Sequence, residues 1–202
     1  NPALSPSNNA TKYFKDYKKT YTAEQTLLEL TEKDRLEIEY LETVIESLKR
    51  AETPSDLLQI RTELTEEGYL RQQKAQKPSK KDDASGYKEY KSVEGYRILV
   101  GKNNKQNDYL TTRLAAKNDL WFHTKNTPGS HVLVLSGGEE VSDETILYAA
   151  SLAAANSKAS ASSQVAVDYT PVKYVKKPNG AKAGMVIYTT NKTIFVNPTE
   201  EE

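Results

Sequence analysis

Between Arg71 and Gly86 the chain reads Arg-Gln-Gln-Lys-Ala-Gln-Lys-Pro-Ser-Lys-Lys-Asp-Asp-Ala-Ser-Gly, a stretch with no apolar side chain larger than alanine. Such a segment cannot bury enough surface to offset the entropy of ordering it, so it reads as a mobile linker over 71–86. A chain interrupted in this way folds in two parts, one over residues 1–70 and one over 87–199. Composition agrees: 37% hydrophobic and 28% charged residues suit a solvated helical arm beside a modest core.

The first part is helical. Ser5 is placed to cap, Pro6 to occupy the first helical position, and a helix is expected from about Ser7 to Arg50. Ile38, Leu41, Ile45 and Leu48 recur at the spacing of a coiled-coil seam, which Leu27 and Leu30 extend upstream across an interruption at Thr31 and Asp34. Tyr13, Phe14, Tyr17 and Tyr21 make its first half aromatic. Thr53-Pro54-Ser55-Asp56 signals a break and a restart with a capping box, Leu57, Ile60 and Leu64 give the second helix one apolar face, and Gly68 should stop it. The seam is expected to self-associate or to be covered by Leu57, Ile60 and Leu64.

The second part mixes strands and helices without a βαβ rhythm, which predicts an α+β domain with a largely antiparallel sheet. Expected strands are 87–92 at an edge, 96–100, 120–123, 131–135, 165–167 and 172–176. A closing hairpin is expected from 185–189 and 193–196 around Thr190-Asn191-Lys192. Helices are expected over 107–116 and from Ser142 to about Asn156.

Four motifs carry chemistry. Gly101-Lys102-Asn103-Asn104-Lys105-Gln106-Asn107 follows a strong strand and leads into a helix. Backbone amides with Lys102, Asn103, Asn104 and Lys105 could hold a phosphate there, against the plainer reading of a solvated turn. Its single glycine excludes a Walker or dinucleotide fingerprint. Asp119-Leu120-Trp121-Phe122-His123 alternates along a strand, so Trp121 and His123 share a face on which a base could stack, unless that face is core. Pro128-Gly129-Ser130-His131 offers a hydroxyl and an imidazole. Sequence neighbours rarely form a nucleophile and base, so Ser130 and His131 read as a turn facing phosphate. Lys173, Lys176, Lys177 and Lys182 surround a glycine-bearing loop, which suits a phosphate backbone or simply a solvated tip.

The zero net charge and the absence of cysteine name no partner and exclude disulfides and thiolate metal sites. From Ser92 to Thr199 there are 12 Lys/Arg against 8 Asp/Glu, a mildly basic balance. His123, His131 and Asp119 lack metal-site spacing. No catalytic residue, metal or cofactor is assigned. No apolar run spans a membrane and no signal peptide is visible, which fits a cytoplasmic protein and equally an unanchored one at the cell surface. The initial Asn reads as the start of a fragment of a longer protein.

Taken in order, Gly101–Leu110, Asp119–His123 and Pro128–Val132 resemble the C-terminal NFACT-R domain of the family that includes bacterial fibronectin-binding protein A / RqcH proteins and eukaryotic NEMF. The block from Lys176 to Tyr188 is similar too, with Ala183 where the family often has proline. Residues 1–70 resemble the returning half of the family's coiled-coil arm. The resemblance implies a non-enzymatic role in ribosome-associated quality control. In that role such proteins bind a large ribosomal subunit carrying a stalled chain, bring in tRNA (alanyl-tRNA in bacteria) and promote template-free tailing. It also implies a second activity, adhesion to fibronectin.

Overall fold

The computed structural model describes residues 1–71 and 86–199. The segment read as a linker, apart from Arg71 and Gly86, lies outside the described residues. Two compact units divide the chain within its first helix, at Glu39 and Tyr40.

Helix α1 spans Pro6–Lys49. It begins as expected: Ser5 Oγ accepts from the Asn8 amide at 3.2 Å. Over 1–39 it is a solvated helix whose Tyr13, Phe14, Tyr17 and Tyr21 stay exposed. Arg35 bridges Glu32 and Glu39 at 2.8 and 2.5 Å, one turn away on either side, on the solvated face of the helix.

The second unit contains the last turns of α1, then α2 (Pro54–Glu66) and the sheet domain. The capping box at Thr53 and Asp56 forms as the sequence indicates, with Thr53 Oγ1 accepting from the Asp56 amide and the Asp56 carboxylate accepting from the Thr53 amide. Gly68 stops the helix at φ 83°, and the amides of Gly68 and Tyr69 close onto Thr65 and Leu64 in a Schellman turn.

Of the seam expected on α1, Leu41 packs against the cluster of Tyr40, Val44 and Ile60, and the other three residues do not. Ile38, Ile45 and Leu48 are 60%, 51% and 43% exposed, whereas Tyr40, Val44 and Ser47 are buried. Tyr40 and Val44 pack on Ile60 of α2, with Leu64 and Met185 beside them, while Leu57 stays half exposed. The reason is a polar contact that periodicity cannot see. The Tyr40 hydroxyl donates to buried Glu63 at 2.8 Å, which turns that face inward and leaves the isoleucines in water.

The sheet has six antiparallel strands in the order β1-β2-β4-β3-β5-β8: β1 Lys88–Lys91, β2 Arg97–Val100, β3 Leu120–Thr124, β4 Val132–Val134, β5 Val165–Pro171 and β8 Lys192–Val196. Helix α3 (Asn104–Tyr109) and a wide π-type turn (Leu110–Leu114) lie between β2 and β3, and α4 (Asp143–Ala155) follows β4. Two short strands, β6 (Val175–Lys176) and β7 (Ile187–Tyr188), pair separately. The fold is α+β with an antiparallel sheet and helices, after a long N-terminal helix.

Strand alternation builds two cores. Ile98, Val100, Phe122, Val132, Val134 and Val167 face α4, whose Ala149, Ala150, Ala153 and Ala154 allow close approach. Leu99, Trp121 and Leu133 face the other way, onto Leu110 and Val172. Glu94, in the β1–β2 turn, accepts from the Ser142 amide and Thr145 Oγ1 at the start of α4, and these hydrogen bonds hold its carboxyl down to about 2.

Three expectations need correction. The helix drawn over 107–116 starts three residues earlier, because Asn103 caps it through the Gln106 amide, and it widens to π geometry after Tyr109. The strand drawn over 172–176 is a single 3-10 turn, Val172–Tyr174, followed by two strand residues. The closing hairpin does not form. Thr190 turns to φ 55°, β7 joins β6, and β8 runs along β5, with Val196 opposite Val165. Burial of Val196 and Ile194 beside the α4 core outweighs the local turn.

Candidate nucleic-acid interface

The Gly101–Asn107 turn is built from side chains that satisfy one another. Asn103 Nδ2 donates to Gln59 Oε1 at 2.8 Å, and Gln106 Nε2 donates to the same oxygen at 2.9 Å. Asn104 Nδ2 donates to Thr43 Oγ1 at 2.8 Å and to Glu63 Oε1 at 3.0 Å. Lys105 pairs with Glu66 at 2.7 Å, and Lys102 lies 3.8 Å from Asp56. The turn thus docks the sheet domain on α2 and the end of α1. Asn103 and Asn104 are buried in that contact and offer no side chain to a phosphate. Burial raises the Glu63 carboxyl even though Asn104 and Tyr40 both donate to it.

Gly101 has no room for a side chain. A Cβ there would collide with Asn107 Oδ1 and stand 3.0 Å from the Asn107 nitrogen. Asn107 Oδ1 accepts from the His131 amide at 3.0 Å at the head of β4. Gly101→Ala is therefore expected to cost about 1–3 kcal/mol by overpacking, read as a lowered thermal midpoint. An unchanged midpoint would contradict this packing.

Trp121, His123, Ser130 and His131 come together, but mostly inside. Trp121 and Ser130 are fully enclosed and His131 nearly so, while His123 is partly covered. Trp121 stacks on His123 at 5.7 Å and meets His131 edge-on at 5.1 Å. His131 Nδ1 pairs with Thr111 Oγ1 at 2.8 Å. Ser130 Oγ donates to the Gly101 carbonyl and accepts from Arg50 Nη1 at 2.5 Å. Ser130 and His131 therefore have separate partners and do not form a nucleophile–base pair. Burial holds the His123 imidazole down to about 4, and burial together with neighbouring His123 holds His131 well below the ordinary range. Both rings are neutral near pH 7. In this conformation Trp121, Ser130 and His131 shape the domain, and a base cannot stack on Trp121.

The lysine loop is the part that faces outward. Lys173, Lys176 and Lys177 are exposed. Lys177 reaches Asp108 at 2.6 Å and Lys173 reaches Asn118 at 3.4 Å. Lys176 has no polar side-chain partner among the described residues. Lys182 is different: its ammonium lies 4.3 Å and 4.5 Å from the ring centroids of Tyr40 and Tyr69 and also meets the Tyr69 hydroxyl. It pins the loop to the α1–α2 elbow, a cation–π contact worth about 0.5–2 kcal/mol.

Sequence reasoning missed Arg50 and Asp168, which organise this region, and placed Asp119 in a motif without finding its partners. Arg50 Nη1 also donates to the Asn156 carbonyl at the end of α4, at 2.7 Å, and burial lowers its guanidinium to about 10. Asp119 accepts from the Ala116 and Gly137 amides at 2.7 and 2.8 Å, tying two loops together. Buried Asp168 accepts from the Tyr188 hydroxyl at 2.8 Å and from Thr193. Only Asp119 had a visible signal, its place at the head of a strand motif.

Residues 87–189 match the family described as NFACT protein RNA binding domain, and residues 1–83 match NFACT N-terminal and middle domains. The chain belongs to the NFACT family. It is 48% identical over 200 residues to the Rqc2 homolog RqcH of Bacillus subtilis, covering 98% of this chain and 34% of that protein. It is 44% identical over 201 residues to the Rqc2 homolog RqcH of Streptococcus suis, covering 99% of this chain and 36% of that protein. The chain thus spans about a third of the length of these relatives. Among solved structures, the C-terminal part of the fibronectin/fibrinogen-binding protein of Streptococcus suis superposes with a TM-score of 0.88 at 43% identity, covering 98% of this chain and 78% of that one. The Asp119–His123 and Pro128–His131 motifs of this NFACT chain are largely buried, and Lys173, Lys176 and Lys177 are exposed.

Proposed function

We propose that this chain is the RNA- and ribosome-binding part of a ribosome-associated quality-control factor. In this reading it binds the large subunit and tRNA so that stalled chains receive C-terminal tails. Residues 87–199 are the RNA-binding module, 1–70 are part of the helical arm, and the module acts without catalysing a reaction itself. The observation that carries the reading is the match of 87–189 to an RNA-binding family, supported by the outward Lys173, Lys176 and Lys177. The side chains that contact phosphate are these lysines and Lys102, with Lys105 and His123 at the margin. No helix among the described residues is long and apolar enough to cross a membrane.

Filter binding of tRNA at several salt concentrations tests this. Each phosphate contact contributes close to one unit to the slope of log affinity against log salt. Lys176→Ala combined with Lys177→Ala is expected to weaken binding and to flatten that slope by about 1–2 units. Unchanged affinity and slope would remove the loop from the interface.

A second reading, adhesion to fibronectin, rests on β1. Among the described residues this strand pairs only with β2, which leaves its outer edge for an added strand. Surface plasmon resonance on immobilised fibronectin tests it, with saturable binding expected and its absence placing adhesion outside this chain.

A further inference from the structure

At the junction of α1, β1 and the end of α4 there is a cleft of about 260 Å³ with an unusual lining: Lys49, Arg50, Lys88 and Lys102 against one carboxylate, Glu52. Two further carboxylates stand close by. Glu46 holds Lys49 at 2.7 Å, and Asp56 lies 3.8 Å from Lys102. Lys88 lies 3.7 Å from Glu52. Arg50 is the cation with no carboxylate within ion-pair distance among the described residues. Its Nη1 is used by Ser130 and Asn156 and its Nε faces the Glu46 carbonyl, while Nη2 has no hydrogen-bond partner among the described residues. A desolvated guanidinium fixed by neutral acceptors, with part of its donor fork unused and lysines around it, is arranged for an oxyanion.

We infer that this cleft binds a phosphate group, held by Arg50 and Lys102 with Lys88 at the rim. The inference rests on the RNA-binding reading for the source of that phosphate, an RNA backbone. It relocates the anion site suggested by the Gly101–Asn107 turn. The asparagines of that turn are engaged by α2 and Thr43, and its Lys102 ammonium instead looks into a cleft whose principal donor, Arg50, directly follows α1. Three cations drawn from three separate segments, Arg50, Lys88 and Lys102, would read one phosphate only when the elbow is assembled, so the elbow and the sheet domain would bind RNA as one surface.

The test is NMR on the 15N-labelled full chain, following the Arg50 Nε–H and Lys102 amide signals together with the Lys176 and Lys177 amides. One arm titrates inorganic phosphate and the other a short single-stranded RNA. Saturable movement of Arg50 and Lys102 is expected in both arms, with RNA at least about tenfold tighter and weakened about three- to tenfold by Lys88→Gln. Phosphate binding as tightly as RNA would assign the cleft to the free ion and overturn the RNA backbone as its source. RNA that moves Lys176 and Lys177 while neither ligand moves Arg50 would overturn the cleft and leave the RNA-binding reading standing. RNA that moves nothing would overturn that reading, and the phosphate arm would still decide the cleft.

Discussion

Trp121→Ala is expected to lower the unfolding free energy by about 3–5 kcal/mol, the range for emptying a large buried aromatic site. Trp121 is among the largest fully buried side chains and stands at the centre of the core on the sheet face opposite α4. It touches His123, His131 and Tyr188, with ring centroids 4.9–5.7 Å away. These neighbours are held by their own hydrogen bonds, to Thr111 and Asp168, and cannot collapse freely into the space. A loss of this size is a large share of the about 5–15 kcal/mol that holds a domain together. Trp121→Phe should cost much less, because the indole N–H has no partner in the described structure and no hydrogen bond is lost. Urea unfolding measures both. A loss below about 1 kcal/mol for the alanine variant would mean that Trp121 is not core but surface, and would reopen it as a stacking platform.

Acid is expected to destabilise the domain in a window set by the two histidines. The imidazoles are neutral in the folded chain, with His123 held down to about 4 by burial and His131 also far below its usual value. An unfolded histidine titrates near about 6.5. Above that pH neither state binds the proton and stability is complete. As pH falls through about 6.5, the unfolded chain takes up protons that the folded chain refuses. Stability then drops by about 1.4 kcal/mol per pH unit for each histidine, until the folded pKa is reached. Glu63 works the other way: burial raises its carboxyl, so the folded chain gains a proton in the lower part of the window and offsets some of the loss. Glu94 and Asp56 are held below the usual carboxylate range, Asp56 because its burial is outweighed by hydrogen bonds with Thr53 and Glu52 together with the charge of Lys102, and they add to the loss only below about pH 4.5. Urea midpoints at about pH 7.5 and about pH 5 should differ by roughly 3–4 kcal/mol in unfolding free energy, and His131→Gln should reduce the difference by about half. Equal stability at the two pH values would show that the rings are protonated inside the fold.

Local signals in the sequence carried most of the architecture. The Ser5 and Thr53 caps, the helix start at Ser142, the Gly68 stop and the alternation through Trp121 and Phe122 each depend on neighbours a few residues away, and each is realised. What was not legible depends on distance along the chain. The buried side of α1 is chosen by Glu63, 23 residues from Tyr40. Strand β8 leaves the local hairpin because β5 offers a buried edge. Arg50 resembles the other helix cations until Ser130 and Asn156, 80 and 106 residues away, take its guanidinium. The candidate site was legible as a set of motifs, not as a surface. Side-chain type pointed to Asn103, Asn104, Trp121, Ser130 and His131, and packing then used those residues to build the elbow and the core. The lysines of 173–177 stayed outside, where a long cationic chain is cheapest to hydrate.

The proposed role of this chain is to meet RNA through its basic loop and elbow. It is tested most directly by a cryo-electron microscopy structure of the chain on a large ribosomal subunit with tRNA. RNA phosphates are expected within hydrogen-bonding reach of Lys173, Lys176 or Lys177 and at the Arg50–Lys102 cleft, with Trp121 and His131 still enclosed. RNA contacting the domain elsewhere, with this face turned to solvent, would contradict it.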